Sequence, residues 1–234
     1  GLLWPGLHPA DRARLTSRCV VWVVVHSLMD LEQQESRSDV AAVETQALQE
    51  AHGCFTTSGR TAMLVSERLG GEVPPVVIPG TSPAPSSSRP GCNRLLAVGH
   101  LIYRKGYDHM LEALAKLTHH SWQLSVVGSL ERDPVAARSI VELAESLGLA
   151  DRVRFVGELD DEGMEEAYRQ SDALIHAAHF EAYGMVLTEA LSRGLPVLST
   201  PAGALDGLSA EGICVAEHGA WGPALGEWLS SPDR

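Results

Sequence analysis

The hydrophobic positions of this chain fall into two patterns that take turns along its length. Cys19–Val25 (CVVWVVV) is apolar without alternation, as expected of a parallel strand buried on both faces. Arg94–Gly99 (RLLAVG), Gln123–Gly128 (QLSVVG), Val153–Val156, Ala173–Ala177 and Pro196–Leu198 read the same way, and Cys54–Thr57, Pro75–Ile78 and Gly212–Val215 are shorter strand candidates. Helical spacing appears between them. Residues 36–52 carry the stripe Val40, Val43, Ala47 and Leu48, with Gly53 as a C-cap. Gly59–Leu69 is a second helix, and Met110, Leu111, Leu114 and Leu117 mark the inward face of a third. A fourth runs from Pro134 to about Leu147, with Pro near its start and Gly148 at its end. Asp160 and Asp161 form an N-cap region for a helix with Met164, Ala167 and Tyr168 inward, Val186, Leu187, Ala190 and Leu191 mark another, and Ala220–Leu229 a last one. Residues 1–18 are mixed in character, broken by Pro5 and Pro9, and predict no element. Strands alternating with helices imply parallel sheets with helical crossovers, an α/β fold.

Thr81–Cys92 (TSPAPSSSRPGC) has linker composition and places a boundary between residues 1–80 and 93–234. A chain of 234 residues, 44% hydrophobic, suffices for one large domain, or one domain and part of another. Its net charge of −12, with no basic stripe, argues against nucleic acid as a partner. No apolar run reaches the length of a membrane span. Four cysteines, Cys19, Cys54, Cys92 and Cys214, stand far apart without a CxxC, which points away from zinc or a disulfide framework and toward a reducing cytoplasm. GxxxxGK[ST] and GxGxxG are absent, so neither a P-loop nor a dinucleotide fingerprint is expected.

The candidate chemistry concentrates in Ala173–Ser199 (ALIHAAHFEAYGMVLTEALSRGLPVLS). A strand leads into a loop carrying Glu181, then Gly184 opens a helix that runs toward a second strand. A helix start presents unpaired N–H groups and the positive end of the macrodipole, which suits a phosphate. Glu189 follows five residues after Gly184, roughly 7–8 Å along the axis, within reach of a ribose joined to that phosphate. A carboxylate there can accept from two sugar hydroxyls.

The string FEAYGMVLTEALSRGLPVL, with its Glu-x7-Glu pair, closely resembles the donor-site signature of the family 4 retaining glycosyltransferases of GT-B fold. The resemblance implies that Glu181 contacts the donor sugar, that backbone amides over Gly184, Met185 and Val186 hold a diphosphate, and that Glu189 holds the ribose. The segment VGHLIYRKG is similar to the family's VGRLxxxKG, which assigns Lys105 to the diphosphate. His100 stands where the family has Arg, so Arg104 is the candidate second cation. The loop Gly157, Glu158 and Leu159 would meet the base. His26, at the carboxyl end of the first strand, matches a family histidine near the donor sugar, and VVIPGT over Val76–Thr81 matches the end of the family's first domain.

The resemblance implies a Rossmann-like donor-binding domain over 93–234, preceded by an incomplete Rossmann-like acceptor-side domain. The implied reaction moves a sugar from a nucleoside-diphosphate sugar to an acceptor hydroxyl, with retention and by front-face attack. The acceptor, whether glycan, lipid or small molecule, is open. So is peripheral membrane association through segments outside these 234 residues. Fixed cations would replace a divalent metal, and no cofactor is expected. Two other readings fit the residues: a sugar-nucleotide epimerase or phosphorylase of the same fold, and a non-catalytic nucleotide-sugar binding module. With the glycine loop of the first domain not in evidence, the chain by itself is expected to bind a nucleotide without transferring sugar.

Overall fold

The uninterrupted apolar runs of the second half pair with one another, and that pairing sets the architecture. A computed structural model describes residues 3–28, 38–82, 84, 93–205 and 212–230. The described residues form two compact units. The first draws on 1–80, 182–184 and 202–208, and the second on 81–181, 185–201 and 209–234. Most of the linker expected over 81–92 lies outside the described residues.

In the first unit, two short helices, α1 (Leu3–Gly6) and α2 (Pro9–Thr16), precede β1 (Trp22–Val25). Then come α3 (Ser38–Glu50), β2 (Gly53–Thr56) and α4 (Gly59–Leu69). β1 and β2 pair in parallel, Trp22 opposite Gly53 and Val25 opposite Thr56. The α4 boundaries follow from its ends. Ser58 caps the N-terminus by accepting from Thr61 N, and Gly70 ends it in the left-handed region at φ 64°.

Several expectations for this unit are corrected. The run from Cys19 is strand only from Trp22, and it is not buried on both faces: Trp22 is 52% exposed and Val24 49%. Among the described residues β1 has a partner on one side only, which leaves one edge open, and the face carrying Trp22 and Val24 is uncovered as well. Gly53 is no C-cap. It opens β2, where Trp22 covers it so closely that a Cβ would lie 2.7 Å from the indole ring. Pro75–Ile78 is not a strand but a single bridge, Thr56 to Val76. The α3 stripe is shifted: Val43 is exposed and Glu44 is buried, because Glu44 accepts from Arg68 Nη1 at 2.9 Å. The prolines at 5 and 9 do not prevent helices. Pro9 occupies the first turn of α2, where a missing N–H costs nothing, and Trp4 Nε1 donates to Ala47 O at 2.6 Å.

The second unit follows the predicted order closely. It runs β3 (Arg94–Val98), α5 (Tyr107–Ala115), β4 (Gln123–Val127), α6 (Pro134–Ser146), β5 (Val153–Gly157), α7 (Asp161–Gln170) and β6 (Ala173–His176). It continues with α8 (Met185–Ser192), β7 (Val197–Ser199), β8 (Ile213–Val215) and α9 (His218–Leu229). Six strands form one parallel sheet in the order β5-β4-β3-β6-β7-β8. Met110, Leu111 and Leu114 of α5, Ala137, Ile140 and Ala144 of α6, and Trp221 and Leu225 of α9 join Leu95, Leu124 and Ile175 in its core. Asp133 and Asp160 cap α6 and α7 by accepting from Ala136 N and Gly163 N. The buried Asp172 ties the start of β6 to β3 through the N–H groups of Asn93 and Arg94 and the Arg94 guanidinium.

The strand order reverses between β3 and β6, and open α/β sheets place ligands at the carboxyl side of such a switch. Here the chain leaving β3 passes through a 3₁₀ turn, Tyr103–Lys105, into Gly106. Gly106 has φ 65°, and a Cβ on it would lie 2.0 Å from Ala177 O, just past β6. Only glycine lets these two chain segments approach. Gly106→Ala should therefore lower stability by more than the ~1–2 kcal/mol that a left-handed non-glycine residue costs alone. Chemical denaturation of the variant checks this; a cost below about 1 kcal/mol would show that the close approach is not constraining.

Candidate functional site

At this switch point the side chains converge. The turn after β3 delivers Arg104 and Lys105, and the loop after β6 delivers Glu181. The two segments are stitched by their backbones: His179 N donates to Arg104 O at 3.0 Å, and Arg104 Nη1 donates to Phe180 O at 3.1 Å. Lys105 Nζ donates to Glu181 Oε2 at 2.5 Å, with Arg104 Nη1 3.9 Å from the same oxygen. Glu181 is buried, so its charge needs such partners. Burial works against the ionised carboxyl, but the Lys105 ammonium beside it outweighs that and holds the group well below the ordinary carboxylate range.

His176, the last residue of β6, completes this cluster and was not singled out from the sequence. Its Nδ1 lies 3.0 Å from Ser199 Oγ on β7, and the Ser199 hydroxyl donates to Thr200 O at 2.6 Å. The serine proton is thus committed, which leaves its oxygen to accept from Nδ1–H. The other nitrogen, Nε2, stands 3.5 Å from Glu181 Oε2 without a hydrogen bond of its own. Burial lowers the His176 pKa, and Lys105 and Arg104 add to that, while Glu181 pulls the other way. The rule that marks His26, a histidine at the carboxyl end of a strand, marks His176 equally well.

Glu189 lies one face along α8 and is half-exposed. Tyr168 OH donates to its Oε2 at 2.9 Å. Gly184, with φ 91°, immediately precedes Met185, the first residue of α8 and exposed, and Val186 follows half-buried. Gly157 ends β5, and Glu158 and Leu159 form the loop behind it. His100 lies half-buried just after β3, its Nδ1 without a hydrogen bond. His26 belongs to the first unit, where it is exposed and its carbonyl accepts from the hydroxyls of Thr57 and Thr61, each at 3.3 Å. The second unit thus brings Lys105, Arg104 and Glu181 into direct contact, and holds Glu189 through a separate partner.

A cavity of about 660 Å³ in the second unit lies elsewhere, lined among others by Arg94, Gln123, Ser125, Arg152 and Arg154. Of the site residues named above, only Leu159 reaches it. Its volume alone does not make it the better candidate, because the buried charge cluster sits at the strand switch instead. Beside that cluster, His218 of α9 stacks on His179 with centroids 5.4 Å apart, and His179 stacks on Tyr103 at 4.7 Å.

A parallel sheet of this order, with its charged crevice at the β3–β6 switch, is the Rossmann-like architecture of GT-B glycosyltransferases. The model for the family "Glycosyl transferases group 1" matches residues 81–222, and the chain belongs to that family. Among curated relatives, the lipopolysaccharide glucosyltransferase WaaG of Escherichia coli K12 is 41% identical over 111 residues, 46% of this chain and 28% of that protein. Mannosylfructose-phosphate synthase of Agrobacterium fabrum is 32% identical over 117 residues, 47% of this chain and 26% of that protein. The matches therefore span under a third of each of these two relatives. Among solved structures, sucrose-phosphate synthase of Thermosynechococcus elongatus superposes with TM-score 0.78 at 23% identity, over 94% of this chain and 61% of that one. Anabaena Alr3699/HepE in complex with UDP and glucose gives TM-score 0.75 at 17% identity, over 92% of this chain and 62% of that one. At these identities the likeness speaks for the fold. Among the described residues, no helix is long and apolar enough to cross a membrane.

The electrostatics make a pH prediction. His176 and His218 are both held below the ordinary histidine value by burial, His218 also by the neighbouring His179 and His109. The unfolded chain binds their protons more readily than the fold does, so their contribution is complete above about pH 6.5 and is lost as pH falls below it. Glu181, with its pKa lowered, contributes above about pH 4.5 and loses that contribution only at lower pH. Melting temperature should thus begin to fall between pH 7 and 5 and fall further below 4.5. A His176→Gln, His218→Gln double variant should flatten the upper limb. An unchanged slope in that variant would assign the acid sensitivity to other groups.

Proposed function

We propose that this chain is the donor-binding part of a glycosyltransferase that moves a sugar from a nucleoside-diphosphate sugar to an acceptor hydroxyl, with retention at the anomeric carbon. One observation carries the reading: Lys105 and Arg104 converge on the buried Glu181 at the strand switch, in the family's own sequence context. The complex of Alr3699/HepE with UDP and glucose supports a nucleotide sugar as the ligand of this fold.

In this reading the positive charge at Lys105, backed by Arg104 and the N–H groups that open α8 after Gly184, stabilises the negative charge that grows on the leaving diphosphate. Fixed cations can serve there in place of a divalent metal. Glu181 stays ionised and accepts from donor-sugar hydroxyls, while Lys105 keeps it neutralised until the diphosphate arrives. Glu189 accepts from the ribose, and the loop Gly157–Leu159 lies against the base. The leaving phosphate acts as the base that takes the acceptor proton, so no protein nucleophile is required. The acceptor, and the rest of the surface that holds it in line, are not assigned.

Lys105→Gln tests the cation while leaving Glu181 a hydrogen-bond donor. It should weaken binding of UDP, GDP or ADP by roughly 10- to 100-fold, as expected from losing a hydrogen bond to a charged group. Binding of the bare nucleoside should change little, and raising ionic strength should narrow the difference. Calorimetric titration of diphosphate and nucleoside side by side is the measurement. Equal losses for both would make Lys105 a structural partner of Glu181 and remove the proposed phosphate site.

A further inference from the structure

The contacts of Glu189 reveal a role for a residue that the donor-site signature does not contain. Tyr168 comes from α7, one element before β6, and is 1% exposed. Its hydroxyl donates to Glu189 Oε2 at 2.9 Å. The tyrosine is itself held in place. The Arg193 guanidinium carbon lies 4.6 Å from the centre of its ring, Arg193 Nη1 donates to Glu189 O at 2.8 Å, and Arg193 pairs with Glu165 of α7. One clamp thus fixes the ring, the helix backbone under Glu189, and one oxygen of its carboxylate.

The other oxygen, Oε1, has no hydrogen bond or ion pair among the described residues. A glutamate half-exposed on a helix would otherwise sample several rotamers, and ordering such a chain costs roughly 1.5–2 kcal/mol. A single carboxylate oxygen has two acceptor positions, enough for two neighbouring hydroxyls.

We propose that Tyr168 is a positioning residue for ribose recognition: it ties one oxygen of Glu189 so that the other is presented, already ordered, to the vicinal diol of a ribonucleotide. The inference rests on the ribose role of Glu189 given above. Burial and the adjacent Glu189 charge both push the phenol pKa up, so Tyr168 remains a donor at any pH the fold tolerates. Its effect is specific: it concerns the diol and leaves the phosphates and the base to other residues. Selectivity for ribose over a sugar lacking these hydroxyls would then depend on a side chain that touches no ligand.

The test compares UDP, GDP or ADP, whichever the chain binds most tightly, with the 2′,3′-dideoxy form of the same nucleotide, by calorimetric titration. The parent should prefer the ribonucleotide. Tyr168→Phe keeps the ring under Arg193 and should weaken ribonucleotide binding by roughly tenfold while leaving the dideoxy form within about twofold. Glu189→Gln should abolish the preference, and adding Tyr168→Phe to Glu189→Gln should cost little more, since the two act as one unit. The ratio of the two affinities within one variant cancels any change in folded fraction, so the comparison remains informative if Tyr168→Phe loses stability. Equal weakening of both nucleotides in Tyr168→Phe, or an unchanged preference, would overturn the positioning role and leave the ribose assignment standing. A parent that binds both forms alike, or binds neither, would overturn the ribose assignment and this inference with it.

Discussion

A buried carboxylate must be paired, and Glu181 is the group on which the second unit's crevice depends. Removing one member of a buried ion pair typically costs several kcal/mol, because the remaining charge is left without compensation. Glu181 therefore constrains its surroundings as much as they constrain it. Lys105 can reach it only because Gly106 brings the turn after β3 against Ala177 at the end of β6. That approach exists only because β3 and β6 are neighbours in the sheet although three helices and two strands separate them in sequence. The site is thus a consequence of the strand switch, and the glycine is what makes the switch close enough to hold a salt bridge.

The two glutamates of the signature are held in different ways, and the difference suits different tasks. Glu181 is buried and keeps its charge through Lys105, with Arg104 3.9 Å away. Glu189 is half-exposed and keeps its orientation through the neutral hydroxyl of Tyr168. The first arrangement places negative charge beside a cation where a phosphate would compete for that cation. The second fixes geometry without adding charge.

Much of the second unit was legible in the sequence, because strands of a parallel sheet are apolar throughout and their lengths are bounded by Gly, Pro and Asp. Each of the six runs corresponds to an observed strand within a residue or two. The first unit was less legible for a physical reason. CVVWVVV has the composition of a doubly buried strand, yet Trp22 and Val24 lie on a face that is open among the described residues, and VVI at Val76–Ile78 makes one bridge. Pattern reports what a segment can bury; it does not report what is present to bury it. The helices before Trp22 were hidden by Pro9, which reads as a breaker but sits where a helix tolerates it. In the site, the Glu-x7-Glu spacing and the Arg104-Lys105-Gly106 turn could be read directly. His176 carried the same strand-end signal as His26, but the roles of Ser199 and Tyr168 could not be read, because they rest on contacts between residues more than twenty positions apart.

A nucleotide sugar is expected at the charge cluster around Glu181, and not in the cavity beside Arg94 and Arg154. A crystal structure of this chain with a bound nucleoside-diphosphate sugar tests it most directly. Phosphate oxygens are expected at Lys105 and at the start of α8, sugar hydroxyls at Glu181 and ribose hydroxyls at Glu189. Density for the ligand in the cavity lined by Arg94, Gln123, Ser125, Arg152 and Arg154, with Lys105 still paired to Glu181, would contradict it.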